Sequence, residues 1–210
     1  MDERTQTIEG FLDALSSSAP TPGGGGVAAL AGALAASLGG MVCSLTLGKP
    51  KYAAVEGDIL RLQRQAAALQ KRLTGLIAGD AEAFLPLSRA YGLPTETEAQ
   101  KAHKAAVMED ALRTAAAVPL EILDCCGETA VLLDELKDVG SAIALSDVGC
   151  GAACCRAALE SSGLNVYANT KYMKDRAYAE TLNGQVRDRM NQFIPLCEAV
   201  LDSVAGRMQG

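Results

Sequence analysis

Tryptophan is absent from the 210 residues, aromatic side chains make up 4%, and there is a single histidine. Strands favour aromatic and β-branched residues, so this poverty disfavours a sheet, while the Ala-rich apolar 49% favours helix. Positive charge is also in deficit: 19 Lys and Arg stand against 25 Asp and Glu, for a net charge of −6. The cationic surplus that neutralises a phosphate backbone is missing, which excludes nucleic acid as an expected partner. None of the seven cysteines forms a C-x-x-C, and His103 lies far in sequence from Cys150 and Cys154, the pair at helical spacing. Neither a zinc-ligand set nor a dithiol redox motif is present, so the sequence predicts no metal, no bound cofactor and reduced thiols buried as small hydrophobes. Reduced thiols imply the cytoplasm. The opening residues MDERTQTIEG carry acids and no apolar run of the kind that directs secretion.

Charge is missing most conspicuously between Val27 and Leu47. As a helix this stretch would measure ~32 Å, long enough for a membrane span. Its composition argues for a buried helix instead. Val27, Leu30, Leu34, Leu38, Met41 and Leu45 form a bulky row, and Ala28, Gly32, Ala36, Gly40 and Ser44 form a row of small residues. The bulky row is expected to fill a core and the small row to admit a neighbouring backbone. Ala, Gly, Ser and Thr also insert poorly. The pattern predicts a helix at a bundle centre or a subunit interface, and no membrane.

No strand alternation, repeat or linker appears elsewhere, and the length fits one domain over 1–210. Ile8, Phe11, Leu12 and Leu15 give a first helix an apolar face, broken between Ser16 and Pro22. After the charge-free helix, Tyr52, Val55, Ile59, Leu62, Ala66, Leu69, Leu73 and Leu76 trace a seam in steps of three and four. Thr97 with Gln100 offers a capping box for the next helix, which Pro119 is expected to kink or interrupt. A following helix should close at Gly140, Ser146-Asp147 should cap another that stops at Gly163, and Asn165–Thr170 reads as a loop. The last helix runs from about Asp175 to Met208, with a kink expected at Pro195. The fold class is all-α, a bundle of long helices around a central apolar one.

Three features could carry chemistry. The seam extended past Leu76 lands on Asp80, with Ile77 and Phe84 beside it. A carboxylate on an apolar seam is costly unless paired, protonated or functional, and desolvation would bring its pKa towards the range of proton transfer. Capping or pairing with a neighbouring helix is the plainer alternative. Pro22, Gly23, Gly24 and Gly25 precede the apolar helix, where free N–H groups favour an anion or an electron-rich ligand, or simply a turn. At the other end of that helix, Lys49 and Lys51 either serve a site or complement the dipole. His103, between Lys101 and Lys104, is expected to face solvent.

Taken in order, APTPGGGGVAAL, LTLGKPKY, the segment Gly79–Phe84, LSDVG and LNVYANTKYMKD resemble the cyclodeaminase/cyclohydrolase family of folate one-carbon enzymes, over about residues 5 to 205. The resemblance implies a helical homodimer packed across its helices, with tetrahydrofolate derivatives as substrates and no metal. The family's catalytic aspartate matches Asp80 and its lysine Lys49. Ser146, Asp147, Asn165 and Asn169 match its polar motifs, which together with the glycine loop would hold the pterin or the reacting arm. Lys171 could meet an acidic, possibly polyglutamylated, tail. Gly26 stands where the family usually has a small hydroxyl residue.

Two reactions of one chemistry are then open. Cyclodeamination of 5-formiminotetrahydrofolate to 5,10-methenyltetrahydrofolate and ammonia is slightly preferred, and hydrolysis of the methenyl compound to 10-formyltetrahydrofolate is the alternative. A non-catalytic helical scaffold is the reading from outside enzymology. The seam carboxylate speaks against it.

Overall fold

The computed structural model describes residues 7–209. Among them are six α-helices and no strand: α1 (Ile8–Leu15), α2 (Gly24–Thr46), α3 (Glu56–Tyr91), α4 (Glu98–Val139), α5 (Leu145–Thr170) and α6 (Arg176–Gln209). Short 3-10 turns at Pro50–Val55 and Ala142–Ala144 precede α3 and α5. The charge-free α2 packs mainly on α3 and α5, with a smaller contact to α4, and α6 closes the bundle on α4 and α5. Gly24 lies by Asn165 and the Ala35 carbonyl by Gly151, so α2 and α5 run antiparallel.

The small row of α2 lets neighbouring helices approach closely, as expected, whereas the bulky row does not fill the core along its length. The small row turns inward, with Ala28, Gly32 and Ala36 buried. A Cβ on Gly32 would come within 2.8 Å of Cys126 Sγ and 3.1 Å of Leu73, so α3 and α4 approach more closely than any larger residue permits. The bulky row reaches the core only in part: Val27 and Leu30 pack partly against it, while Leu34 is 52%, Met41 40% and Leu45 43% exposed. α2 and Ala142–Thr170 are both long and apolar enough to cross a membrane by length and composition, but about half of each is buried in the protein.

Most of the α3 seam is as expected: Ile59, Leu62, Ala66, Leu69 and Leu73 are buried. Thereafter Ile77 replaces Leu76 at the core, the drift that a straight helix shows against a seven-residue repeat. Tyr52 and Val55 belong to the preceding 3-10 turn and are half-buried. In α1 only Phe11 is buried; two turns of helix touch the core at one position, leaving Ile8 and Leu12 exposed.

Thr97 and Gln100 form the expected capping box of α4. Pro119, however, does not interrupt this helix, which runs 42 residues through it. Proline has no N–H, so the Ala115 carbonyl lacks its donor four residues on. Asn169 Nδ2 supplies it, donating to Ala115 O at 3.1 Å. Asn169→Ala should therefore cost about 1–3 kcal/mol in urea unfolding, and the same substitution in a Pro119→Ala background should cost less, because position 119 then carries its own N–H.

α5 corrects three expectations. Its N-cap is Ala144, so Ser146 and Asp147 lie in the first turn and do not cap it. Gly163 does not stop the helix; it is buried in the crossing with α6, where a Cβ would come within 2.7 Å of Met190 Sδ. Asn165–Thr170 is helical and not a loop, because Asn165 and Asn169 donate back to the carbonyls of Ser161 and Asn165 at 2.9 Å each. That back-bonding keeps two residues of poor helix propensity inside the last turns.

Candidate active site

The glycine run lies differently from its expected place before the helix. Gly23 is the N-cap of α2, with no side-chain cap, and Gly24, Gly25 and Gly26 form its first turn. Pro22 is buried beneath it, 3.4 Å from where a Gly26 Cβ would stand. Asp80, on α3, sets its carboxyl group directly against this turn. A Cβ on Gly25 would overlap all three carboxyl atoms, far inside the 3.0 Å that real Cβ atoms essentially never breach. A Cβ on Gly24 would fall 2.9 Å from Asn165 Nδ2. Glycine is thus required at both positions for α3 and α5 to bring a carboxylate and a carboxamide onto one helix N-terminus. The positive end of α2 favours an anion there.

These residues open onto a cavity of about 180 Å³. Gly23, Gly24, Gly25, Asp80, Asn165 and Asn169 line it, together with Phe84, Ala115 and Pro119. Asp80 is half-buried and, among the described residues, is the one ionisable side chain in that lining. The helix that carries Pro119 thus contributes to the wall, a part the sequence did not reveal. A proline inside a long amphipathic helix, paired with an asparagine able to serve the freed carbonyl, was the available signal. Lys171, the C-cap of α5, stands exposed at the same end, its Nζ 5.4 Å from the Tyr172 ring.

Lys49 is not at this cavity. It follows the far end of α2, about 35 Å from Gly24 along a helix of 23 residues. There its Nζ donates to Ser141 Oγ at 3.4 Å, and the Tyr52 hydroxyl accepts from the Ala142 N–H at 2.9 Å. That N–H, then the Ser141 side chain, holds the Tyr52 phenol below its usual pKa. Thr46 Oγ1 accepts from the Ser141 N–H, fixing the turn from below. Ser146 and Asp147 begin α5 a few residues after Ser141, so they belong to this second end. The sequence-derived residues therefore form two groups at opposite ends of the α2/α5 pair. Gly23–Gly25, Asp80, Asn165, Asn169 and Lys171 are at one end, and Lys49, Ser146 and Asp147 at the other.

Other reactive groups are elsewhere. His103 is exposed on α4, as expected. Among the described residues no three His, Cys, Asp or Glu side chains converge on a common centre. All seven cysteines are free and five are buried, and burial pushes the Cys43 and Cys125 thiols up to about 11. Such thiols are poor nucleophiles at neutral pH.

Known proteins resemble this chain over most of its length. The pattern of the formiminotransferase-cyclodeaminase family matches residues 7–188. Methenyltetrahydrofolate cyclohydrolase of Methylorubrum extorquens is 42% identical over 203 residues, covering 97% of this chain and 98% of that protein. Formimidoyltransferase-cyclodeaminase of Mus musculus is 29% identical over 97% of this chain, which spans only 38% of that relative's length. The crystal structure of formiminotetrahydrofolate cyclodeaminase from Thermotoga maritima superposes with a TM-score of 0.86 at 26% identity, covering 97% of this chain and 98% of that one. The chain belongs to the formiminotransferase-cyclodeaminase family.

Proposed function

We propose that this protein is a folate one-carbon enzyme that hydrolyses 5,10-methenyltetrahydrofolate to 10-formyltetrahydrofolate at the Asp80 cavity. The observation that carries the proposal is the carboxylate of Asp80 held against the N-terminus of α2 in a cavity whose lining, among the described residues, contains no other ionisable side chain. The 42% identity with a cyclohydrolase of matching length supports this choice of reaction. Cyclodeamination of 5-formiminotetrahydrofolate, supported by the Thermotoga maritima structure, is the second reading, and the same residues would serve it.

The methenyl carbon lies between N5 and N10 in a cationic ring, so the reaction begins with an electrophile and needs no further activation of the carbon. Asp80, as general base, accepts a proton from water as its oxygen bonds to that carbon. The adduct then collapses: the C–N5 bond breaks, N5 leaves with a proton returned from Asp80, and the hydroxyl loses its proton to become the formyl oxygen. One proton is released overall. In cyclodeamination N10 takes the place of water and ammonia leaves, so one carboxylate again shuttles the proton.

At about 180 Å³ the cavity is smaller than the ~300–1,000 Å³ that usually encloses a whole ligand. It would hold the reacting ring against Gly24, Gly25 and Asn165, with the remainder of the folate outside. We assign Lys171, exposed at the same end of the bundle, to its glutamate tail.

The two reactions separate in one experiment. Purified protein is offered 5,10-methenyltetrahydrofolate and, separately, 5-formiminotetrahydrofolate, with near-UV absorbance and ammonia followed together. The expected result is accelerated loss of methenyl absorbance without ammonia. Appearance of that absorbance with ammonia from the formimino compound alone would establish the second reading, and no acceleration of either would leave a scaffold.

A further inference from the structure

The part of the cavity wall that α5 supplies ends at a corner, and two charged side chains of α4 that lie outside the lining hold that corner. Asn165, Ala168 and Asn169 line the cavity from the last turns of α5, and Lys171 follows as its C-cap. Residues 171–175 then turn the chain into α6. The corner is tied within itself. Arg176 Nη1 donates to the carbonyls of Thr170 at 2.7 Å and Met173 at 3.2 Å, and Thr170 Oγ1 donates to Asn183 Oδ1 at 2.7 Å. Asp175 Oδ1 accepts from the Tyr178 N–H at 3.0 Å, the bond by which an N-cap residue closes the first turn of a helix. The end of α5 and the start of α6 thus form one unit, with Asn169 and Lys171 on it.

Glu109 and Arg113 fasten this unit to α4. Both carboxylate oxygens of Glu109 accept from the backbone of the turn, Oε2 from the Lys174 N–H at 2.6 Å and Oε1 from the Asp175 N–H at 3.3 Å. Arg113, one turn further along α4, donates to Asp175 Oδ2 at 2.7 Å and to Glu109 Oε1 at 3.5 Å. Its guanidinium lies 4.3 Å from the centre of the Tyr178 ring, within the range of a cation–π contact. Just beyond Arg113, the Ala115 carbonyl accepts from Asn169 Nδ2. A lone exposed ion pair would leave the turn loose. Here the Glu109 side chain is 18% exposed, and hydrogen bonds to an ionised acceptor are the strong ones.

We propose that Glu109 and Arg113 are positioning residues for folate binding: by pinning the α5–α6 corner to α4, they hold Asn169 in the cavity wall and Lys171 beside it. The inference rests on the folate reading of the Asp80 cavity. Neither side chain lines that cavity, and Asp80 is carried by α3, outside the corner. The pair therefore governs how well substrate is held and not how fast the proton moves. A corner that keeps its place only ~10% of the time once unpinned lowers apparent affinity about tenfold, because substrate must first order it. Bound substrate then keeps the corner in place, so turnover at saturation changes little.

Glu109→Ala tests this through two readouts. Lys174 and Asp175 are exposed, so water can take over their N–H groups and the fold should persist. Amide hydrogen exchange, followed by NMR, should quicken at Lys174 and Asp175 and stay as in wild type along α3. With 5,10-methenyltetrahydrofolate, or the formimino compound if that is the one converted, KM should rise about tenfold while kcat stays within about twofold. Asp80→Asn should show the reverse split. Glu109→Gln keeps the volume and one acceptor, so it should fall between wild type and Glu109→Ala in both readouts, and it carries the test if the alanine variant does not fold. Glu128→Ala, which removes an exposed ion pair to Arg72 elsewhere on α4, should alter neither. A merely structural role for Glu109 would lower the urea midpoint and quicken exchange but leave KM unchanged, and that result overturns the proposal. So does unchanged exchange at the turn, or a fall in kcat at constant KM. If exchange quickens but the wild-type protein converts neither folate, the folate reading fails and the clamp stands.

Discussion

Replacement of Asp80 by Asn should lower kcat by about 10²–10⁴-fold, the usual contribution of a positioned general acid or base. The carboxamide keeps the shape of the side chain but cannot carry the proton between water and N5. The fold should persist, because the position is half-buried and the substitution removes charge without adding volume. Affinity for the methenyl substrate should change much less than kcat, since the cavity wall formed by α2, α4 and α5 is untouched. Turnover is checked by stopped-flow absorbance and binding by titration with the slowly converted variant. Wild-type-like kcat would remove Asp80 from the chemistry. A scaffold protein would respond differently: it would gain stability from losing a half-buried charge on its seam, and it would have no turnover to lose.

The second large effect comes from a residue with no side chain. Gly25→Ala places a methyl group where the Asp80 carboxyl group now lies. Either the carboxylate swings away or the first turn of α2 withdraws from α3, and both separate the acid/base group from the helix N-terminus. A misplacement of about 1 Å can cost ~10²-fold in rate, so kcat should fall at least that far. Overpacking of this kind typically costs about 1–3 kcal/mol, a shift readable in urea unfolding. Gly57→Ala is the matched control. Gly57 is also helical, but its Cβ would meet nothing within 4 Å, so both rate and stability should stay near wild type. If Gly25→Ala behaves like Gly57→Ala, the close apposition of Gly25 and Asp80 has no part in function.

Periodicity made the helical architecture legible, and the α3 seam led to Asp80 because a carboxylate broke an otherwise apolar register. The capping box at Thr97 and Gln100 was equally readable, since it depends only on residues three apart. What was lost depended on partners remote in sequence. Pro119 would ordinarily interrupt a helix, and only the carboxamide of Asn169, fifty positions away, shows why it does not. Gly163 has the residue type of a helix stop, but the approach of α6 makes it a packing position. The α2 rows illustrate the same limit. Both the bulky and the small faces of an uncharged helix can be buried, and the choice between them was set by how closely α3 and α4 approach. Lys49 and Asp80 each stood out in the sequence, but sequence order carries no distance, and their separation across the length of α2 became apparent only in the fold.

The most direct test of the central claim is to locate the substrate. In a structure of the Asp80→Asn protein with 5,10-methenyltetrahydrofolate, the methenyl carbon should lie beside the side chain at position 80, with the reacting ring against Gly24, Gly25 and Asn165. Ligand bound elsewhere on the bundle, with that cavity empty, would contradict the account.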